Sequence, residues 1–187
     1  MAYISGFAGN YICDWFFWTL NWLNDFALPN FVMLANEVST HSNAVAGHPT
    51  RWSKPALGRI KLNSDATICQ GSNVMGLAWV LRDDEGKFLA AKNTVVPGNY
   101  LVKEAEALSI REALSWLIST DMGSVDVEID SQVVFNALCS SSFSFAFGLL
   151  INDVRDLAFA IGDVEFHFVA RSANCVAHAV AREAFSV

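Results

Sequence analysis

The first 50 residues contain no lysine or arginine, and basic residues are scarce in the chain as a whole. This segment carries only the acids Asp14, Asp25 and Glu37, and the 187-residue chain has a net charge of −7 at pH 7. Phosphate binding normally leaves a basic footprint on a protein surface, so the acidic balance argues against a broad nucleic-acid interface. The residues after position 50 are closer to charge balance, so part of the deficit is local.

Paired cysteines and long apolar runs are also missing. The four cysteines are far apart and form no C-x-x-C pair, which favours free thiols in a reducing compartment. The N-terminus lacks the basic region of a secretory signal. Acids and asparagines interrupt the apolar first 36 residues before any uncharged run reaches the roughly 18–20 residues of a spanning helix. These absences predict a soluble intracellular protein, nuclear or cytoplasmic, with no membrane partner.

Apolar residues, in contrast, are abundant. They make up 53% of the chain, against 17% charged residues, and include 14 phenylalanines and 6 tryptophans. This composition predicts a sizeable folded core. Residues 11–27 have the spacing of an aromatic helix, Pro29 suits the start of a short second helix, and the small polar residues 39–50 are typical of a linker. We therefore predict an N-terminal helical segment, 1–50, that is either a packing remnant or a partner-binding arm.

The remaining residues, 51–187, have the pattern of one α/β domain. Hydrophobic periodicity predicts the order β-β-β-α-β-α-α-β-α. The predicted bounds are 58–65, 74–82, 87–96, 101–119, 125–130, 131–138, 149–161, 164–168 and 173–184. Alternation of apolar and polar residues predicts that the opening strand and the fourth strand are each buried on one face only. A three-stranded meander followed by alternating helices and strands implies a five-stranded mixed sheet with helices packed on it.

Three acids stand where separate elements could bring them together. Asp65 ends the opening strand, Asp130 lies at a strand-to-helix junction, and Glu106 lies one turn before Ile110 on the inward face of the first helix. Burial of an unpaired carboxylate is costly, and converging carboxylates need a positive group between them. The pattern therefore predicts divalent cations at a nuclease-type site, where a pair of ions would offset roughly four charges.

Four motifs in this order resemble a known family. They are KLNSDA at 61–66, AEAL at 105–108, EIDSQVVFNAL at 128–138 and HFVARSANCVAHAVA at 167–181. Together they resemble the plant RNase H-like domains, type 1, of reverse-transcriptase-like and retroelement-derived proteins. The resemblance covers about residues 51–187. It implies the RNase H-like fold, which agrees with the element order predicted from periodicity.

The resemblance also implies a set of catalytic residues. Active members of the family cleave the RNA strand of RNA–DNA hybrids with two Mg²⁺ ions held by four carboxylates. By motif, three of these fall on Asp65, Glu106 and Asp130, which are the expected metal ligands. The fourth should lie in the last helix, where this chain has His178 instead. Mg²⁺ prefers oxygen ligands, whereas histidine suits Mn²⁺ or Zn²⁺ better, so Mn²⁺ is an alternative cofactor.

The role of His178 stays open among three interpretations. It replaces the acid as a softer ligand, it moves a proton near the leaving group, or it marks a site that has lost full metal binding. Arg171, Asn174 and Arg82 are candidate substrate-binding residues, although each could equally be an ordinary surface group.

Two classes of function follow from these observations. The first is a metal-dependent RNase H-type endonuclease that binds RNA–DNA hybrid or another nucleic acid, as a monomer. The alternative is a catalytically weakened or inactive module that binds nucleic acid by duplex shape and 2′-OH contacts, favoured by His178 and by the acidic balance. A vestigial retroelement remnant, docking through its aromatic N-terminus, is a further possibility.

Overall fold

The structure, a computed structural model, describes residues 48–69, 71–120, 122–140 and 145–185. These residues form five strands and four α-helices in the predicted order. The strands are β1 (Ile60–Cys69), β2 (Val74–Arg82), β3 (Phe88–Pro97), β4 (Val125–Ile129) and β5 (Val164–Phe168). The helices are α1 (Val102–Thr120), α2 (Gln132–Cys139), α3 (Phe145–Ile161) and α4 (Cys175–Glu183), with a 3₁₀ turn at Arg171–Ala173.

The sheet has the strand order β3-β2-β1-β4-β5. The first three strands pair antiparallel as a meander, whereas β4 pairs parallel with β1 and β5 pairs parallel with β4. A parallel neighbour requires a crossover connection, and α1 and then α2 and α3 supply these connections. The predicted five-stranded mixed α/β sheet with packed helices is therefore confirmed.

The central strand is buried on both faces, unlike the half-buried strand that the alternation predicts. Every residue of β1 from Ile60 to Ala66 is buried, and so is all of β4. The reason is that both sides of the sheet are covered. Trp79 of β2 packs against Trp116 of α1 at 5.0 Å between ring centroids, while Gly76, three positions away and hence on the other face, contacts α4.

The opening strand is also longer than predicted, and this changes the position of the first acid. Its pairing with β2 continues past Asp65, which lies opposite Ala78, as far as Cys69 opposite Val74. Asp65 therefore lies inside the strand and not at its end. Its backbone pairs with Ala78 of β2, while the parallel register with β4 ends at Asn63 opposite Glu128.

The inward face predicted for the first helix is confirmed. In α1 the buried side chains include Glu106, Ile110 and Leu114, as predicted. The last helix packs closely, because a Cβ at Gly76 would lie 2.5 Å from the carbonyl oxygen of Ala181. The helix α3 begins at Phe145, four residues before the predicted start at 149, and its buried residues are Phe147, Ile151, Val154 and Ala158.

The predicted N-terminal helices lie outside the described residues, and the domain boundary at residue 50 stays a prediction. Residues 48–50 are described and contact the turn before α4: Ala170 donates its N–H to the Pro49 carbonyl at 3.0 Å, and the Ser172 hydroxyl donates to the Thr50 carbonyl at 2.6 Å. Among the described helices, none combines the length and the apolar character needed to cross a membrane.

Candidate metal centre

The three predicted acids come from three elements that meet at the middle of the sheet. Asp65 lies in the centre of β1, Asp130 follows the last residue of β4, and Glu106 lies in the second turn of α1. Parallel pairing places Asn63 opposite Glu128, so the residues two positions further along each strand, Asp65 and Asp130, fall side by side on the same face. The fold thus gathers residues that are up to 65 positions apart.

The three carboxyl groups are close together, and those of Asp65 and Glu106 are shielded from water. One oxygen from each of Asp65, Glu106 and Asp130 lies within 4.8 Å of the others. Asp65 is 0% exposed and Glu106 is 8% exposed. At such distances like charges repel strongly in a medium of low dielectric constant. The arrangement is therefore costly unless protons or a cation reduce its negative charge.

The pKa values of the buried acids respond to this repulsion. Burial, followed by repulsion from Asp65 and Asp130, raises the pKa of the Glu106 carboxyl to about 9, although the charge of Arg171 opposes the rise. Burial also raises the pKa of Asp65, against the lowering effect of a hydrogen bond with His178. At neutral pH the metal-free cluster therefore holds a proton on Glu106, which a divalent cation would displace.

The two oxygens of Asp65 have different surroundings. Oδ2 lies 2.7 Å from Nδ1 of His178, while Oδ1 is buried and has no hydrogen-bond partner among the described residues. Nη2 of Arg171 lies 3.2 Å from Nε2 of the same imidazole and 2.8 Å from Nδ1. Nδ1 can donate to Asp65 only when it carries a ring proton, so the tautomer of His178 decides which ring nitrogen is left to accept from Arg171.

Asn174 connects the last helix to two of the strands. Its Nδ2 donates to the Ser64 carbonyl at 2.8 Å and to Oδ1 of Asp130 at 3.1 Å. The side chain is buried, with 1% of its surface exposed. Its predicted role as a substrate contact stays a prediction, but this geometry favours a role in positioning Asp130. Asn174 and His178 are four residues apart, the spacing that places side chains on one helix face.

Arg82 lies away from the acids. It sits opposite Lys61, four positions along β2 from Ala78, the partner of Asp65. Its guanidinium lies over the Trp52 ring, 4.7 Å from the centroid, and burial lowers its pKa. Its substrate contact stays a prediction, while Arg171 is the exposed basic residue next to the cluster.

Sequence reasoning missed a buried polar network that neighbours the three acids. The Lys61 ammonium donates to Oε1 of Glu128 at 2.6 Å, Asn63 donates to Oε2 of Glu128 at 2.8 Å, and the Trp52 indole donates to Oδ1 of Asn63 at 2.9 Å. The alternation of Lys61, Leu62 and Asn63 suggested that the side chains of Lys61 and Asn63 are solvated. Nothing in the local sequence shows that residues 52 and 53 cover this face of the sheet.

A second group of potential ligands, Asp126, Glu165 and His167, lies on the same face near the other end of β4. It was not predicted. Arg59 already occupies it: Nε lies 2.5 Å from Oδ1 of Asp126, and Nη2 lies 3.7 Å from Glu165. A guanidinium among the carboxylates neutralises them and repels a metal ion, so this group is best explained as an ion-pair network.

The cluster of Asp65, Glu106 and Asp130 fits a hard divalent cation on its donor chemistry. All three offer carboxylate oxygens, which Mg²⁺ and Mn²⁺ prefer, and Oδ1 of Asp65 is a buried acceptor with no donor. Such unsatisfied buried groups are rare in folded proteins and call for an explanation. A bound cation would satisfy the oxygen and remove the repulsion at once.

Comparison with known proteins places this geometry in a family. A family model described as reverse transcriptase-like matches residues 63–184. RNase H1 from the halophilic archaeon Halobacterium salinarum is 22% identical with a TM-score of 0.63, covering 68% of this chain and 98% of that one. The N-terminal RNase H domain of Rv2228c from Mycobacterium tuberculosis is 18% identical with a TM-score of 0.61, covering 68% and 94%.

A third similar structure is LC11-RNase H1 in complex with an RNA/DNA hybrid. It is 16% identical with a TM-score of 0.61, and the alignment covers 68% of this chain and 96% of that one. At these identities the likeness establishes the RNase H-like fold and nothing finer. No curated protein sequence matches the chain. The plant and retroelement affiliation suggested by the motifs stays a prediction.

Proposed function

The chain belongs to the reverse transcriptase-like family, and from that premise we propose that it is a metal-dependent ribonuclease acting on RNA–DNA hybrids. Asp65, Glu106 and Asp130 would hold Mg²⁺ or Mn²⁺, and the RNA strand of the hybrid would be the substrate. When bound, the cation supplies Lewis-acid activation of water and stabilises charge on the scissile phosphate. The hybrid is a substrate by analogy with the complex of LC11-RNase H1.

The observation that carries this proposal is the cluster itself. Three carboxyl oxygens from β1, α1 and the end of β4 lie within 4.8 Å of one another, and one of the residues is completely buried. A fold that needed only stability would place apolar or paired groups at this position. Repulsion within the cluster opposes folding in the absence of a metal, and cation binding is the function that would offset this cost.

Neighbouring residues of the chain would position and orient the reactants. Asn174 holds Asp130 through its amide, so the carboxylate keeps one orientation. Arg171 is exposed beside the cluster and offers a guanidinium to a phosphate of the hybrid, since arginine forks match phosphate oxygens. This local basic group also answers the objection from the net charge of −7, because a bound cation and Arg171 make the cleft attractive to phosphate.

His178 favours a second candidate function. Where related active sites have a fourth acid, this chain has an imidazole that hydrogen bonds to Asp65 at 2.7 Å. An imidazole in that place weakens one metal position, so the alternative is a module that binds the duplex without cutting it. The module would recognise an A-form-like duplex by shape and by contacts to the 2′-OH groups.

One experiment separates the two functions. Purified protein is incubated with a labelled RNA–DNA hybrid in Mg²⁺ and in Mn²⁺, beside Asp65→Asn, His178→Asp and the surface control Asp153→Asn. Cleavage by the wild type and by Asp153→Asn, lost in Asp65→Asn, supports the ribonuclease. Cleavage gained only in His178→Asp supports a weakened site. Binding of the hybrid without cleavage in every variant supports the module.

A further inference from the structure

We infer that the cluster takes one divalent cation per chain, because His178 and Arg171 occupy the place of the second. This inference deepens the proposed function and rests on it for the identity of the metal site. It concerns how many ions the chain binds, which can be measured without any substrate.

The first argument comes from the two oxygens of Asp65. A carboxylate that bridges two ions through both of its oxygens directs one oxygen at each ion. Here Oδ2 already has a partner in His178 at 2.7 Å, while Oδ1 is buried without one. Oδ1 is therefore the oxygen of Asp65 that is left unpartnered for an ion, together with an oxygen from Glu106 and one from Asp130, while Oδ2 is engaged by His178.

The second argument comes from Arg171. Its guanidinium contacts the imidazole of His178, with Nη2 2.8 Å from Nδ1 and 3.2 Å from Nε2, and this imidazole in turn contacts Oδ2 of Asp65. It therefore acts on the cluster as a fixed cation on the side of His178. A second divalent ion placed there would meet a positive group in place of a carboxylate ligand.

The third argument is the charge of the whole cluster. With all three acids ionised, and with Arg171 as the basic neighbour, the cluster carries two net negative charges. One divalent cation cancels them, and a second would leave an excess of two positive charges beside Asp65, which is 0% exposed. Such an excess is strongly unfavourable where the dielectric constant is low.

The test is the number of Mn²⁺ ions bound at equilibrium, measured with Mn²⁺ alone by calorimetric titration and by electron paramagnetic resonance. All chains carry Glu165→Gln, which removes the second group of potential ligands. We expect one ion that is absent from Asp65→Asn and from Asp130→Asn. His178→Asp restores a fourth carboxylate, so we expect two ions and the broadened signal of a coupled Mn²⁺ pair.

Two further variants make the test specific. His178→Gln adds no carboxylate and should keep one ion. Arg171→Met removes the fixed cation, so the single ion should bind more tightly, on the order of tenfold at low salt, whereas Arg111→Met on the outer side of α1 should leave the affinity unchanged. Two ions bound by the chain that carries only Glu165→Gln would overturn the inference. So would the failure to find an ion that is bound by this chain and lost in Asp65→Asn.

Cleavage of the hybrid, assayed on the same samples, keeps this inference separate from the proposed function. One bound ion without cleavage would support the inference and contradict the ribonuclease. Two bound ions with cleavage would contradict the inference and support the ribonuclease.

Discussion

Glu128 and Asp130 lie two residues apart on the same face of the sheet, and their surroundings are opposite. Glu128 is buried, but Lys61 and Asn63 each donate a hydrogen bond to it. Asp130 instead faces Asp65 and Glu106, and only the Asn174 amide donates to it among the described side-chain contacts. One carboxylate is neutralised by the fold itself, whereas the other needs a partner from outside.

The contrast separates structural charge from functional charge within one sheet. A buried ion pair such as Lys61 with Glu128 is satisfied in the folded chain and makes no demand on a ligand. The three-acid cluster is unsatisfied, with a protonated Glu106 at neutral pH and an unpartnered oxygen on Asp65. Burial alone therefore does not identify a site. What identifies it is a buried charge that the chain has left uncompensated.

The largest expected effect is a loss of activity when the unsatisfied cluster of three acids is changed. Asp65→Asn removes the buried charge and one ligand oxygen, so we expect cleavage of an RNA–DNA hybrid to fall by about a thousandfold or more, in keeping with the several kcal/mol that metal-ion catalysis supplies. The metal-free variant should unfold at the same urea concentration as the wild type or a higher one. Gel analysis of cleaved RNA and urea titration measure the two effects.

Asp153→Asn is the matched control for this prediction. Asp153 is exposed on α3 and pairs with Arg111, so both activity and stability should stay within error of the wild type. Loss of stability in Asp65→Asn, with activity intact, would mean that Asp65 is a structural charge like Glu128. The cluster and the ion pair would then not differ in role.

For the satisfied ion pair of Lys61 and Glu128, the largest expected effect is on stability. Lys61→Met leaves the Glu128 carboxylate buried without its ammonium, so we expect the free energy of unfolding to fall by about 3–5 kcal/mol. The double variant Lys61→Met, Glu128→Leu removes both charges and should recover most of this loss. Chemical unfolding followed by circular dichroism measures each step.

Lys87→Met serves as the control for Lys61→Met, because Lys87 pairs with Glu85 on an exposed turn. Exposed pairs contribute about 0–1 kcal/mol, so this variant should be close to the wild type. A similar loss from both lysine substitutions would mean that burial does not distinguish the two ion pairs.

Stability should also depend on pH in a direction set by Glu106. The folded-state pKa of Glu106 is about 9, against an ordinary value of 4.5. Between these values the folded chain keeps a proton that the unfolded chain has released, so the free energy of unfolding falls as the pH rises. We expect Tm of the metal-free protein to fall between about pH 5 and pH 9, by about 2–4 °C for each kcal/mol lost.

Glu106→Gln and added Mn²⁺ test the cause of this pH dependence. The variant should lose most of the slope, because it carries no titrating carboxyl group. Mn²⁺ should raise Tm of the wild type most at the alkaline end of the range, where the cation no longer competes with the proton. A Tm that rises with pH in the metal-free wild type would contradict the assignment.

The smallest expected effect concerns the residue that orients Asp130. Asn174→Ala removes the amide donor to Asp130 and to the Ser64 carbonyl, so we expect Mn²⁺ to bind about 10–100-fold more weakly. Ser172→Ala is the control, since Ser172 lies in the turn before α4 and its hydroxyl donates to the Thr50 carbonyl, not to the acids. Equal losses of Mn²⁺ affinity in both variants would assign the effect to the turn as a whole.

The sequence predicted the architecture well because hydrophobic alternation and helical stripes are local signals. The order of elements in 51–187 and the second and last strands agree with the structure. The three acids could be found because the family motifs and the inward position of Glu106 pointed to them. Their metal-binding role stays a prediction, but the structure brings them together.

Contacts between distant segments could not be predicted. The length of β1 depends on pairing with β2, and the pairing of Lys61 with Glu128 depends on the parallel register with β4. The hydrogen bond of His178 to Asp65 joins positions 113 residues apart. No local pattern encodes such contacts, because they depend on how helices and strands meet in three dimensions.

The most direct test of the central claim is a crystal of the wild-type domain soaked in Mn²⁺ and measured at a wavelength where manganese scatters anomalously. The account predicts an anomalous peak among Asp65, Glu106 and Asp130, with a carboxylate oxygen of each at about 2.2 Å. A map with no peak there, while the three carboxyl groups remain as close as they are in this structure, would contradict it.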